Sequence, residues 1–567
     1  MTSPNALNPV PTFSFRLRST SPSRFSPRTG HVTLTRSRPT DGHDSATIEL
    51  PTPSLVCATS RGVIQHLSQD NVQRTPCAKW IHVPFESFLQ IDPPSISRQE
   101  GPNPLHSFLG FSPSRHLLSL SLRDPADGRE VPANGKEFVS TLTSRGTRKI
   151  AAPVFRSYVT TVLPDITFAM SDIPFTPPPH SQKRTTKSVD RSAQWLANIL
   201  APLNLPSLPQ TPPTRLNVFV HMVGGIRDAA RSAFSYMLRE PLEPKERTLV
   251  QLKNLDEGVS GYVFDLQPLR ITLLAEEQKV SLQSLGSPAV PHRPSDDKVC
   301  DTFVSLMHAS LEEMPVEKPR LVNTTLSPHE MLILIRDVGI DLFDSFWVQQ
   351  AATWGIALDF RFPVPAGTEE EAKKHLGHNL YDDCYAIDIS RLADSFLDGL
   401  THSNRGESAD QKNTPPVCPC GACSPTWSNE PLIHSSLDEY TVPRGTVEPA
   451  SPYTRAYIHH LLHTHEMSAH AFLAMHNFAV LDAFFAGIRE VIERDPDSFE
   501  NEVKRFFAVY DSTFELLDEA KRSYHEVDKA RGKGRLAREK ELQTAKVAEE
   551  LDVPVPTVEV VEEAIQG

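Results

Sequence analysis

The sequence predicts an α/β fold, a (β/α)₈ TIM barrel followed by a cysteine-centred subdomain and a C-terminal helical extension. Three observations carry this. Short apolar runs recur through the first 346 residues, and most are followed by a segment of helical spacing. A compact cluster, Cys418-Pro-Cys420-Gly-Ala-Cys423, stands beyond that series. After Asp495-Pro-Asp-Ser498, apolar residues return at three- and four-residue steps.

The elements follow in order. Phe13-Ser-Phe15-Arg-Leu17 alternates as a first strand, with Gly30-His-Val-Thr-Leu34 as its hairpin partner. Ser54–Ala58 reads as a strand, and His66–Asn71 opens a helix. Leu117–Leu122 and Asp165–Ala169 read as strands, with a helical stretch around Phe155–Leu163 between them. Ser188–Leu200 is an amphipathic helix with Val189, Trp195, Leu196 and Ile199 on its apolar side. Asn217–Val223, Gly261–Asp265, Arg320–Asn323 and Asp341–Phe346 are the later strands. Ala229–Leu238 and Ser327–Arg336, the latter capped by Ser327, are the later helices. Phe499, Val503, Phe507, Tyr510, Phe514 and Leu517 predict one long helix near the end. The expected division is residues 1–415 for the barrel, 416–493 for the cysteine subdomain and 494–567 for the extension. From Lys529 the tail is highly charged and reads as a solvated helix or disorder.

Composition bounds the function. The chain has 567 residues, 39% hydrophobic and 22% charged, as a globular protein does. Its 50 prolines, about 9% against a usual share of about 5%, predict long loops, notably 174–213, 363–417 and 424–452. A net charge of −13 excludes a generally nucleic-acid-binding surface, so any RNA contact must come from local basic patches. No uninterrupted apolar run reaches the roughly 18 residues of a membrane span, so no transmembrane segment is expected. The first 40 residues carry six Arg and no acidic residue, a composition shared with transit peptides, but the strand pattern at Phe13 favours a ragged, partly ordered start to the fold.

Three thiols spaced C-x-C-x-x-C, with a His-rich helical segment downstream, are the donor set of a tetrahedral Cys₃His zinc site. Only 7 cysteines occur in the chain, which argues against a disulfide framework. His459, His460 and His476 are all candidates for the fourth ligand on spacing alone.

Several stretches then converge: Lys187-Ser-Val-Asp-Arg-Ser192, Lys318-Pro-Arg-Leu-Val322, Gly339-Ile-Asp-Leu-Phe-Asp-Ser345, Cys418–Cys423, Arg455-Ala-Tyr-Ile-His-His460 and Met475-His-Asn-Phe478. With them, and weaker matches from Phe13 to about Glu493, the chain resembles the tRNA-guanine transglycosylases. Within these it is most similar to the accessory, non-catalytic chains of eukaryotic queuine tRNA-ribosyltransferase. The resemblance implies a TIM barrel with a zinc-binding subdomain. It implies Cys418, Cys420, Cys423 and His476 as ligands of one Zn²⁺ per subunit, with His476 chosen as the His of the His-Asn pair. The stretch between Cys423 and Thr454, residues 424–453, is much longer than the family's usual loop.

By the same resemblance, Asp344 stands at the nucleophile position. In catalytic members an Asp attacks the ribose C1′ and expels guanine, and queuine then displaces the enzyme. The surroundings depart from that pattern. Phe346-Trp-Val-Gln-Gln350 replaces the family's Pro-Thr-Arg run, and Ser119–Asp124 lacks its Gly-Gly-Phe-Gln. Ser171-Asp172-Ile173 replaces the base-reading Asp-Glu-Cys, so a serine aligns with the reader unless Asp172 serves by a one-residue slip. Val223 replaces the Gln before Gly224-Gly225, and Asp265-Leu-Gln-Pro-Leu269 replaces Leu-Ala-Val-Gly-Glu. A pocket without its polar readers discriminates a purine poorly.

The expected function is therefore a non-catalytic subunit that forms a heterodimer with the catalytic subunit. Together they would exchange guanine for queuine at the wobble position (34) of tRNAs with GUN anticodons. The alternatives are an active transglycosylase using Asp344, or a protein that binds tRNA or queuine only. Two basic patches are expected to meet tRNA phosphates: Lys183, Arg184, Lys187 and Arg191, and Arg455 with His459 and His463. The apolar helix Ala469–Val480 is expected to pack in the core, against the barrel, with a partner subunit as the alternative. The resemblance implies a cytoplasmic protein with peripheral association at the mitochondrial outer membrane.

Overall fold

A computed structural model describes residues 10–18, 23–36, 46–176, 178–203, 214–278, 297–365, 373–394, 418–428 and 447–530. Most of the charged tail and most of the 424–452 stretch lie outside these residues, as do parts of the segments 174–213 and 363–417.

The chain opens with a three-stranded antiparallel sheet, β1 (Thr12–Leu17), β2 (Gly30–Arg36) and β3 (Ala46–Thr52). The staves of a closed parallel barrel follow: β4 (Ser54–Ala58), β5 (Trp80–Pro84) and β6 (Leu117–Ser121). An outer hairpin, β7 (Phe138–Thr143) with β8 (Gly146–Ala151), intervenes before the next stave. The remaining staves are β9 (Ile166–Phe168), β10 (Val218–His221), β11 (Val259–Asp265), β12 (Arg320–Asn323) and β13 (Leu342–Asp344). The last stave closes on the first, Leu342 pairing with Ser54 and Asp344 with Val56. An eight-stave parallel barrel wrapped in helices is the (β/α)₈ architecture.

Helices α1 (Gln69–Gln73), α2 (Pro104–Leu109), α3 (Ala152–Val162), α4 (Gln182–Leu200), α5 (Asp228–Arg239), α6 (Pro244–Val250), α7 (Leu266–Gln278), α8 (Asp297–Leu311), α9 (Pro328–Val338) and α10 (Phe346–Thr353) accompany the staves. A small sheet, β14 (Ile356–Leu358) with β15 (Gly377–Asn379), leads out of the barrel. Then come α11 (Arg455–His463), α12 (Met467–Arg494), α13 (Phe499–Val509) and α14 (Glu515–Ala530).

Strand alternation divides the core. Trp80, Leu117, Ile166, Phe219, Leu321 and Leu342 point into the barrel and form one cluster with Val32, Leu34, Ile48 and Leu50. The N-terminal sheet therefore plugs the end where the staves begin. Two buried ion pairs tether it there, Arg28 with Asp341 and Arg36 with Asp165. The alternate residues, such as Leu55, Ile81, Val83, Leu118 and Leu120, pack outward on the helices.

Several sequence expectations are corrected. Trp80–Pro84, which the apolar-run reading passed over, is the second stave and completes the eight, and Ala46–Thr52 is a third strand of the plug. Helix α4 begins at Gln182, because the Ser181 hydroxyl accepts the Arg184 N–H. The strand expected over Asp341–Phe346 ends at Asp344, and Phe346 already opens α10. The single long helix after Ser498 is two helices. The Asp511 carboxylate accepts the N–H groups of Thr513 (3.0 Å) and Phe514 (3.1 Å), and this local turn competes with helix continuation.

Helix α12 is long and apolar enough, by length and composition, to cross a membrane. Two-thirds of its most apolar window is nonetheless buried within the protein. It packs against α10, α11, β4 and β14, with Leu473, Phe478, Leu481, Phe485 and Ile488 in the core.

Candidate metal centre and barrel mouth

The C-x-C-x-x-C stretch forms a tight knuckle. The Cys423 N–H donates to Cys420 Sγ (3.2 Å), Ser424 N–H to the Cys420 carbonyl (2.9 Å), and the Ser424 hydroxyl to the Cys418 carbonyl (2.7 Å). Gly421 faces α12 closely: a Cβ at that position would stand 2.9 Å from Met475 Sδ, and the methionine side chain would have to yield.

His476, on that face of α12, places Nδ1 at 3.6, 3.8 and 3.4 Å from the sulfurs of Cys418, Cys420 and Cys423. All four side chains are buried, and their donor atoms lie within 4.8 Å of one another. The opposite nitrogen, Nε2, donates to the Leu358 carbonyl on β14 (2.9 Å). That bond fixes the tautomer and leaves the Nδ1 lone pair facing the thiols, the usual supporting arrangement of a metal-bound imidazole.

Asn477 secures the same strand. Its Oδ1 accepts the Leu358 N–H (2.9 Å), and its Nδ2 donates to the Ile356 carbonyl (3.0 Å). The result is a buried Cys₃His group able to hold a metal ion. Burial opposes charge on His476, but Cys418 beside it outweighs this and holds the imidazole above its ordinary value.

The other histidines lie elsewhere. His460 is exposed, while His459 and His463 donate to the Leu380 and Tyr381 carbonyls (3.0 and 3.1 Å). Arg455 is buried against Asp388 (3.3 Å) and Asp394 (2.8 Å), with its guanidinium 2.9 Å from His378 Nε2. The second expected basic patch is therefore internally neutralised. The first is halved. Arg184 forks onto Asp172 (2.8 and 2.6 Å) and Arg191 joins it at 3.0 Å, which leaves only Lys183 and Lys187 outward.

The staves' C-terminal ends form a polar mouth, where catalytic groups of such barrels sit. Asp344 ends β13, only 3% exposed. Its Oδ2 accepts the Thr324 N–H (2.7 Å), and burial, with Asp124 and Asp265 nearby, pushes its carboxyl up to about 7. Burial likewise pushes Asp124 up to about 6. Asp265 goes the other way: burial opposes its charge, but His221 at 2.7 Å and the Asn323 amide at 2.8 Å hold it below the ordinary range.

A cleft beside this mouth is bordered by Ile173, Val223, Gly224, Gly225, Arg231 and Asp265. Ser171 and Asp124 line the adjoining recess with Arg123, whose guanidinium lies 3.6 Å from the Phe175 ring centre. Asp172 is wholly buried in its arginine pair and the Asn134 amide (2.8 Å), so it has no free edge for a base. Sequence reasoning passed over Asp124 and His221. A charged residue three positions past a stave and a histidine at a stave's last position were the signals that could have found them.

These features define a class, a (β/α)₈ barrel with an acidic C-terminal mouth and a Cys₃His clasp closing its last segment. The model of the Queuine tRNA-ribosyltransferase family matches residues 26–241 and 274–512, and the chain belongs to that family. Among its relatives is the Queuine tRNA-ribosyltransferase accessory subunit 2 of Schizosaccharomyces pombe, 23% identical over 82% of this chain and 80% of its own length. The protein of that name from Drosophila mojavensis is 25% identical over 79% of this chain and 84% of its own. The human one is 30% identical over 34% of this chain and 40% of its own.

Proposed function

We propose that this chain is a non-catalytic subunit of a queuine tRNA-ribosyltransferase. It pairs as a heterodimer with a catalytic subunit and supports exchange of guanine for queuine at position 34 of tRNAs with GUN anticodons. The observation that carries the reading is the state of Asp172. Asp172, next in sequence to Ser171 at the base-reading position, is buried under Arg184 and Arg191, and Val223 stands before Gly224 where a polar reader is required. The relatives' names agree with the role.

The metal is zinc, one ion in the Cys₃His clasp. Bond lengths of about 2.3 Å to sulfur and about 2.0–2.1 Å to nitrogen in a tetrahedron require an S···N edge of about 3.6 Å. The edges here are 3.4–3.8 Å. With four protein donors the site is closed and structural. Exposed Lys183 and Lys187, on the helix whose Arg184 and Ser188 border the cleft, supply a salt-sensitive contact to tRNA phosphates. The complex is cytoplasmic, with peripheral association at the mitochondrial outer membrane, a placement tested by fractionation and salt release.

The deciding experiment is incorporation of labelled queuine into tRNA. The chain alone gives none, and the chain with the catalytic subunit gives robust exchange. Exchange by the chain alone that disappears in Asp344→Ala overturns the reading in favour of an active enzyme. Metal analysis of the purified chain gives about one zinc; content unchanged in Cys420→Ser overturns the ligand set.

A further inference from the structure

His459 and His463 stand one helical turn apart on α11, their ring centres 4.2 Å apart. Each ring spends one N–H on a carbonyl of the neighbouring segment: His459 Nδ1 on Leu380, His463 Nε2 on Tyr381. A neutral imidazole that donates from one nitrogen presents a lone pair on the other. The two remaining nitrogens, Nε2 of His459 and Nδ1 of His463, have no hydrogen-bond partner among the described residues. The same segment then turns at Asp383, whose exposed carboxylate has no ion pair or hydrogen bond there either. One donor atom from each of Asp383, His459 and His463 lies within 4.8 Å of the other two.

Two further features suit a cation at this place. Imidazoles whose second nitrogen is tied to a backbone carbonyl are the usual form of metal-ligating histidine. His463 closes the last turn of α11, where the helix carbonyls favour positive charge. The neighbouring group of Asp359, His378 and Asp394 lacks this openness, because the Arg455 guanidinium already occupies it at 2.8–3.8 Å. Cys384, next to Asp383, turns its thiol to Asp382.

We propose that Asp383, His459 and His463 form a second metal site, distinct from the Cys₃His clasp. It takes a borderline divalent transition ion such as zinc or cobalt through two imidazoles and one carboxylate, and water fills its open, solvent-facing positions. With three protein donors and no thiolate it binds more weakly than the clasp and fills after it.

The test is titration of the metal-free full chain with cobalt(II). The first equivalent produces the strong near-ultraviolet thiolate-to-cobalt absorption of the clasp. A second equivalent adds weak visible absorption with no growth of the thiolate band. In His463→Gln and in Asp383→Asn, the second affinity falls more than about tenfold, the least that losing a ligand costs where losing its supporting bond costs about 10–100-fold. The first equivalent is unchanged in both variants. Asp383 is exposed, so its substitution leaves folding intact. Saturation of the wild type at one equivalent overturns the proposal, as does a second equivalent undiminished in the double variant. Failure of the thiolate band counts against the clasp, independently of the second site.

Discussion

Asn477 ties the His476 turn of α12 to β14, and Asn477→Ala tests that role quantitatively. The side chain is fully buried and makes two good bonds to β14, to Leu358 N–H at 2.9 Å and Ile356 carbonyl at 3.0 Å. A third, to the Val348 carbonyl at 3.4 Å, is marginal. Truncation strands one buried donor and one buried acceptor, each costing about 1–3 kcal/mol, so about 2–6 kcal/mol is at stake and about 3 is expected after partial hydration. Leu358 also receives the His476 Nε2 proton, so releasing β14 loosens the imidazole that faces the thiols. Metal affinity should fall about 10–100-fold, the usual effect of losing a supporting partner. Urea unfolding of the zinc-loaded chain reads the first quantity, and competition with a zinc chelator reads the second. Ile488→Val on the same helix is the control, expected to cost about 1 kcal/mol and leave affinity unchanged. Wild-type zinc affinity in Asn477→Ala, despite lost stability, would refute the coupling.

Three more outcomes follow from the geometry. Asp344 has a folded pKa of about 7 against an ordinary 3.8, so its contribution to stability is present below pH 4 and lost as pH rises through 7. Asp344→Asn escapes that loss and should gain on the wild type between pH 4 and 7, levelling at about 2–4 kcal/mol by pH 8, while exchange by the heterodimer is retained; a pH-independent difference in melting would contradict the assignment. Arg184→Met removes two of the bonds on buried Asp172 but leaves Arg191, so it should cost about 2–3 kcal/mol, less than the roughly 3–5 of a fully broken buried pair, and a double-mutant cycle with Asp172→Asn should recover part of it. Gly487→Ala should cost about 3 kcal/mol or more by denaturation, because a Cβ there would stand 1.7 Å from the Phe362 carbonyl oxygen and α12 would have to move off it.

What the sequence made legible was whatever is local. Barrel staves are buried on both faces and read as apolar runs, and Ser327 announced α9 because its hydroxyl caps the Glu330 N–H three residues on. The stave at Trp80–Pro84 was opaque because His82 interrupts it. That ring is satisfied by Ser119 and Ser121 of the next stave, both at 2.9 Å, and burial pushes it down to about 3, so it sits neutral in the wall. The basic patch failed for the same reason. Arg184 and Arg191 look like a solvated cationic face until Asp172, 12 and 19 residues upstream, is folded beneath them. Spacing could not choose among the histidines. Family resemblance singled out His476, and the physical ground for it is a contact with Leu358, 118 residues away.

The position of the clasp explains why a barrel needs one. Closure depends on β13 pairing with β4, strands nearly 290 residues apart in the chain, and α12 lies across that seam. Phe485 stacks on Phe343 of β13 with ring centres 5.5 Å apart, and Arg489 donates to the Pro53 carbonyl at the foot of β4 (2.5 Å). The same helix carries His476 to the knuckle and Asn477 to β14. A metal in the clasp therefore joins the chain's late segment to the helix that touches both strands of the closing seam. The entropy of fixing that segment is met by binding energy that the unfolded chain does not have. Metal loss should accordingly act on the barrel as well as on the knuckle, opening the β4–β13 edge to amide exchange before staves on the far side such as β9 and β10. Exchange confined to the knuckle after chelation would separate the two and leave the clasp a local device.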